Sequence, residues 1–261
     1  MTAPLARFVE LVQGPEEDIP LDEASLLIAA HARPGLDRAA ELARLDALAA
    51  ACPAPDLDGL RHQLFAVYGL AGNTRRYNDP RNSFLNDVLD RRLGIPISLS
   101  VLTMEVGRRI GVPLSGVGMP GHFLVRHDGD GRIVDPFNGG RILALEQCSR
   151  LYRGMHGDRA HFGPHLLAST GPRAILVRML ANLRHIYLAA GDPRSAGWVH
   201  ELRAAIPPGS PADYADVARA LASTGRITEA AAVLDELAES VPAGAAEEAR
   251  SRAVALRALL N

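Results

Sequence analysis

Two residues suited to proton transfer, His122 and Asp135, bracket a strong hairpin signal. Asp128-Gly129-Asp130-Gly131 separates two short, apolar, β-prone runs at 123–125 and 132–134, the pattern of a tight turn between antiparallel strands. If those four residues turn the chain, residue 127 faces 132 and residue 124 faces 135. His122 and Asp135 then stand diagonally on one face of the hairpin, within side-chain reach. A one-residue bulge would break that register. A carboxylate beside an imidazole orients the ring and lets it work as a general base on water or on a nucleophile. The bland alternative is a structural His buried in the sheet.

The remaining reactive residue types add little to this pair. The pair could also contribute to a metal site, for which His127, His156, His161 and His165 are the other local candidates. His161 and His165 would lie one turn apart on a helix, but Gly163-Pro164 between them argues against one. No metal set and no cofactor is assigned. Cys52 and Cys148 lack metal-type spacing and read as small apolar fillers, although Cys148 follows the strands and could approach the cleft. Asn78, Asp79, Arg81 and Asn82 form a polar cluster ahead of a helix start. They read as turn and cap chemistry, or, with Ser98, as the rim of a binding site.

The elements that must position these residues follow from periodicity. Residues 3–72 look helical: Leu5, Phe8, Val9 and Val12 recur at helical spacing, and further apolar faces run over 21–31, 36–51 and 57–70. Phe84, Leu85, Val88, Leu89 and Leu93 give the next helix its buried face, and Gly94 suits the position just past its end. Pro96 sits where a first-turn Pro is tolerated, and a helix over 97–110 runs to the stop Gly111-Val112-Pro113. From Leu114 the period changes to strands at 114–117, 123–125, 132–134 and 141–143, then a short helix over 145–151. Residues 154–172, rich in His and Gly, read as a linker.

The last 90 or so residues contain a repeat. Gly191 and Gly225, Ala196 and Ala230, Pro208 and Pro242 each recur at the same offset. The spacing resembles the tetratricopeptide repeat, whose units of about 34 residues are helix pairs, with 245–261 as a capping helix. An unrelated four- or five-helix bundle is the alternative.

Gly94-Ile95-Pro96 and Gly111-Val112-Pro113, followed by His122-Phe123-Leu124 and Val134-Asp135-Pro136, resemble the transglutaminase-like core. In that family a Cys at a helix N-terminus, presented as G-x-C, works with a His and an Asp on the next two strands. The resemblance implies that His122 and Asp135 are the family's His and Asp, and that Pro96 occupies the nucleophile position. Ser98, two residues and about 200° around the helix, points away from where residue 96 points and reads as a first-turn residue bonding a free helix N–H. Ser100 lies on the same face as Pro96 but about 6 Å farther along the axis. The longer string from Asn82-Ser83-Phe84-Leu85 through Ile97-Ser98-Leu99-Ser100-Val101 to Gly118-Met119-Pro120-Gly121-His122 resembles the SirB family of transglutaminase-like proteins with C-terminal tetratricopeptide repeats. The fold implied is α+β: a papain-like core with a helical N-terminal part and a small antiparallel sheet, then an all-α region. The domains expected are 1–170 (helical 1–76, core 77–153, linker 154–172) and 173–261.

Composition narrows the function. The net charge is −2, and all 28 basic residues are Arg, so no basic stripe for nucleic acid is present and no side-chain amine is available for Schiff-base or isopeptide chemistry. No basic segment precedes an apolar run at the N-terminus, and no apolar stretch approaches the ~20 residues of a membrane span. A cytoplasmic protein is expected. The reading is a degenerate, non-catalytic protein that binds a protein or peptide partner through its cleft and repeats, with no oligomeric state assigned. The alternatives are a hydrolase or acyl transferase that uses His122 and Asp135 with water, Ser100 or a metal, and a purely structural subunit.

Overall fold

The computed structural model describes residues 3–208 and 211–259. The chain forms two compact units, one of Glu17–Met179 and one of Met1–Glu16 with Leu180–Asn261. The division falls inside a helix and assigns the first sixteen residues to the C-terminal unit, unlike the expected boundary at 170.

The chain begins with α1 (Ala3–Gln13), which belongs to that C-terminal unit. The unit of Glu17–Met179 then opens with α2 (Leu21–Ala32), α3 (Arg38–Ala50) and α4 (Leu57–Arg61). Asp37 and Asp56 cap α3 and α4, accepting Ala40 N at 3.1 Å and Gly59 N at 2.7 Å. The single helix expected over 57–70 instead widens into a π-helical turn, His62–Val67. No residue there breaks helices. The wider turn is held from outside: the Tyr68 hydroxyl donates to Leu89 O at 2.7 Å, and Phe65 lies where a side chain on Gly140 would stand.

A two-residue parallel pair, β1 (Ala71–Gly72) and β2 (Leu93–Gly94), flanks α5 (Leu85–Arg91). Gly94 therefore lies in a strand rather than just past the helix end; the left-handed residue closing α5 is Arg92, φ 58°. A Cβ on Gly94 would meet Ser98 Oγ at 2.8 Å, which explains the glycine.

Helix α6 (Pro96–Arg109) is the axis of this unit. Every residue from Pro96 to Gly107 is buried, and the helix packs on α2, α3, α4 and α5 on one side and on the sheet on the other. A helix enclosed on all sides marks the core. The sheet has five strands in the order β6-β5-β4-β3-β7, all antiparallel: β3 (Leu114–Val117), β4 (Leu124–His127), β5 (Ile133–Asp135), β6 (Arg141–Leu143) and β7 (Ser169–Thr170). Val125 pairs with Val134 and Arg126 with Ile133, so the expected hairpin register is the observed one, without a bulge. After α7 (Leu145–His156), the stretch read as a linker does more than connect. Pro164–Leu167 makes a 3₁₀ turn, and Ser169–Thr170 adds an edge strand beside β3.

Beyond Met179 the elements among the described residues are helices: the rest of α8 (Pro172–Ala189), then α9 (Pro193–Ala205), α10 (Pro211–Ser223), α11 (Ile227–Ser240) and α12 (Ala243–Ala258). Helix α1 joins them, its Gln13 Nε2 donating to Ala205 O at 2.8 Å. The positions of the repeat fall in equivalent places. Gly191 and Gly225 are left-handed residues after α8 and α10, with φ 67° and 79°, where a side chain would be strained. Ala196 and Ala230 are buried early in α9 and α11. No described helix is long and apolar enough to cross a membrane.

One buried charge cluster ties α6 to α2. Arg109 donates to Asp22 Oδ2 at 2.7 Å, and Arg108 to Glu105 Oε2 at 2.9 Å, with both carboxylates nearly inaccessible. Burial, and then repulsion from Asp22, pushes the Glu105 carboxyl up from 4.5 to about 7, against the pull of Arg108. A raised folded value means the fold favours the protonated form. That contribution is whole below pH 4.5 and is lost as pH rises through about 7. Glu105→Gln is therefore expected to be more stable than the parent at pH 8, by about 1–3 kcal/mol, and to flatten the decline between pH 5 and 8. Urea denaturation across that range measures it; an unchanged slope would refute the assignment.

Candidate functional site

His122 closes a turn immediately before β4. Its N–H donates to Met119 O at 3.0 Å, and Gly121 supplies the positive φ of 78° that the turn requires. Arg178 of α8 braces the turn from behind, donating to Met119 O at 3.0 Å and to His122 O at 2.6 Å, its guanidinium 5.3 Å from the Phe123 ring centre. Burial lowers the Arg178 pKa from its ordinary value.

Asp135 ends β5 and caps the 3₁₀ turn Pro136–Asn138. Its side chain accepts Asn138 Nδ2 at 2.7 Å and Asn138 N at 3.3 Å. The hairpin brings it to His122, with Nε2 3.0 Å from Oδ1. Burial pushes the Asp135 carboxyl up, but the hydrogen bonds from His122 and Asn138 outweigh it and hold the group below its ordinary value. An ionised carboxylate only accepts, so His122 Nε2 carries a proton, and in the neutral form of the ring Nδ1 holds the lone pair. That nitrogen is the one free to act as a base. Phe137 stands edge-on to the His122 ring at 6.0 Å, and Tyr77, 45% exposed, stands edge-on to Phe137 at 6.0 Å.

Among the described residues no hydrogen bond joins the His122 ring to a Ser, Thr or Cys side chain; its side-chain partner is Asp135. Pro96 is the first residue of α6 and is buried. Ser98 Oγ accepts Ile95 N at 3.1 Å and donates to Asn82 O at 2.6 Å, so it braces the helix start. Ser100 is fully buried, and its Oγ has no hydrogen-bond partner. Cys148 packs on the sheet among Val117, Leu124 and Leu143. Burial and the Asp135 charge both push its thiol up, away from thiolate. Cys52 is likewise pushed up by burial.

The predicted rim divides. Asn78 is exposed. Asp79 caps a 3₁₀ turn through Arg81 N at 3.0 Å, and the Arg81 side chain holds its carboxyl below the ordinary value. Asn82 is fully buried: it donates to Arg76 O at 2.7 Å and Tyr77 O at 3.0 Å, and accepts Asn73 Nδ2 at 2.9 Å. Asn82 and Ser98 are thus internal braces with no face toward a ligand. His127 pairs with Asp130 in the hairpin at 2.7 Å, and His156 contacts Pro120 O at 3.0 Å. No α-helix spans His161 and His165. No group of three His, Cys, Asp or Glu among the described residues could hold a metal ion. Sequence reasoning missed Arg178, Tyr77 and Phe137. The one available signal was a lone Arg within the apolar run Ile175, Leu176, Met179, Leu180 of α8.

Removing the Asp135 carboxylate leaves the buried His122 Nε2 without its acceptor and releases two donors of the exposed Asn138. Asp135→Ala is expected to cost roughly 2–4 kcal/mol at pH 7. Because the folded carboxyl titrates below its ordinary 3.8, this contribution is present above that value and is lost as pH falls through the folded one. Urea denaturation at pH 7 and pH 3 checks both points; a cost below about 0.5 kcal/mol at pH 7 would show that the pair does not hold the hairpin.

Residues 30–181 match the family profile described as "Transglutaminase-like superfamily". A UPF0162 protein of Xylella fastidiosa is 41% identical over 186 residues, 66% of each chain, so the match spans just under two thirds of that relative. A UPF0162 protein of Pseudomonas aeruginosa is 33% identical over 193 residues, 69% of this chain and 70% of the relative. Mouse F-box only protein 21 is 34% identical over 137 residues, 49% of this chain but 21% of that protein. No solved structure matches the chain significantly. The chain belongs to the transglutaminase-like superfamily.

Proposed function

We propose that this chain is a non-catalytic, cytoplasmic member of the superfamily that holds a protein or peptide partner, with its cleft and its C-terminal helices as the binding surfaces. The observation that carries this reading is Pro96. A helix N-terminus favours a thiolate, and here its first residue is a buried proline, while Cys148, on the sheet and within the field of Asp135, is kept as a thiol. The His122–Asp135 pair survives without a group to activate. Exposed Tyr77 beside Phe137 supplies the aromatic contact that interfaces favour. The match to a fifth of F-box only protein 21 supports a domain that is used as a part of larger proteins. The equivalent places of Gly191 and Gly225 and of Ala196 and Ala230 support tetratricopeptide-like pairing in the C-terminal unit, and the motif string supports membership of the SirB family.

A second reading has one observation in its favour. In the neutral ring His122 Nδ1 holds a lone pair, so the pair could draw a proton from water in a hydrolase or acyl transferase. The non-catalytic reading expects no turnover of peptide, amide or thioester substrates by the parent protein; turnover that disappears in His122→Ala would overturn it.

Pro96→Cys tests the frame itself. A thiol there should be alkylated by iodoacetamide at pH 6 about 10-fold faster than an ordinary cysteine, and His122→Ala should abolish the excess. Alkylation at the ordinary rate, with the fold intact by circular dichroism, would mean that residue 96 does not face His122.

A further inference from the structure

The C-terminal unit holds a small cavity of about 30 Å3 between α8, α9 and α10, room for one small polar group rather than for a whole ligand. Its polar lining is Arg184, His200, Arg203, Asp216 and Arg219. Three guanidiniums thus face one carboxylate.

His200 adds no positive charge. Its Nε2 accepts Arg184 Nε at 3.0 Å, and Nδ1 bonds the Ser223 hydroxyl. Burial, then the Arg184 charge, pushes its pKa down, so the ring is neutral. Arg203 is the internal brace, 5% exposed, with its nitrogens spent on Asp216 Oδ2 at 3.0 Å, Ile206 O at 3.3 Å and Asp213 at 3.4 Å. Asp216 is largely used by Arg203; Arg219 reaches its other oxygen only at 3.7 Å. Arg184 spends only Nε, and among the described residues its two terminal nitrogens have no protein partner. Even with Asp213 counted from the rim, one positive charge is left over.

A partly desolvated cation without a counter-charge is unfavourable, and a guanidinium fork matches an oxyanion in shape and charge. We propose that this cavity binds an oxyanion, a carboxylate or phosphoryl group, on the terminal nitrogens of Arg184 and Arg219, with His200 holding Arg184 in place. The alkyl groups of Leu180 and Val199 complete the wall, so the ligand's anionic group enters a pocket with apolar sides.

The test is calorimetric titration of the full chain at fixed ionic strength with inorganic phosphate, with acetate, and with short peptides ending in a free or an amidated C-terminus, against a chloride control. Saturable binding of phosphate or of a free carboxylate is expected, weakened about 10-fold or more by Arg184→Gln and by Arg219→Gln. Binding of phosphate alone would identify a phosphoryl source, and binding of the free but not the amidated peptide a peptide carboxylate; both support the site. Arg219 is 60% exposed, so its variant keeps the test alive if Arg184→Gln fails to fold. No saturable binding by any probe, or binding unchanged in Arg219→Gln, would overturn the proposal. Binding lost in His122→Ala would also overturn it, by moving the ligand to the other unit. Because His122→Ala is expected to leave anion binding intact, failure here is separable from failure of the partner-binding reading.

Discussion

Helix α6 enters the core with its first turn closed off from water, so the polar groups there must find partners inside the protein. Ser98 and Asn82 meet that demand together. The Ser98 hydroxyl takes the Ile95 N–H and gives its own proton to Asn82 O, while the Asn82 side chain gathers the loop backbone at Arg76 and Tyr77. Buried polar groups left unpaired would cost about 1–3 kcal/mol each. Arg91, the last residue of α5, donates to Asn82 Oδ1 at 3.1 Å, so the network holds the start of α6, the loop that carries Tyr77 and the end of α5 as one piece. Pro96 fits the same constraint from the other side: its missing N–H is one donor fewer to satisfy. A proline at this first position thus lowers the polar demand of a buried helix start.

The His122–Asp135 pair depends on this scaffold at one remove. Phe137, which packs edge-on to His122, lies against Gly72, where a Cβ would come within 2.6 Å of the ring. Gly72 is paired to Gly94, two residues before Pro96. The aromatic wall of the site and the helix start are thus linked through two glycines that permit close approach. Arg178 performs a similar service for the turn at 119–122, donating to His122 O and adding a second donor at Met119 O beside the His122 N–H.

Charge is handled differently in the two units. Around α6, Asp22 and Glu105 are buried against Arg108 and Arg109, and one of the carboxyls is driven toward neutrality. Around α9, the excess runs the other way: guanidiniums outnumber carboxylates and a histidine is held neutral. The first arrangement resolves its imbalance with a proton. The second resolves it with an anion from outside, on the reading given above.

Much of the core unit was legible before any coordinates. The hairpin register followed from Asp128-Gly129-Asp130-Gly131 between two short, apolar, β-prone runs, because a tight β-turn leaves little freedom. It alone sufficed to bring His122 beside Asp135. The helices followed from their apolar spacing, and Pro96 from the tolerance of a first turn. What the sequence could not show was long-range. The π-helical turn at 62–67 arises from contacts of Tyr68 and Phe65 with residues far along the chain. Edge strand β7 is two residues, too short for any periodicity. Asn82 and Ser98 read as a ligand rim because their residue types suit one, and only burial showed them to be braces. Arg178 and Arg184 look alike on one helix; distant backbone carbonyls occupy the first and leave the terminal nitrogens of the second free. Local spacing determined which residues turn, cap and pair with near neighbours. Tertiary structure decided which polar groups are satisfied and which remain open, because that depends on partners a linear chain does not place.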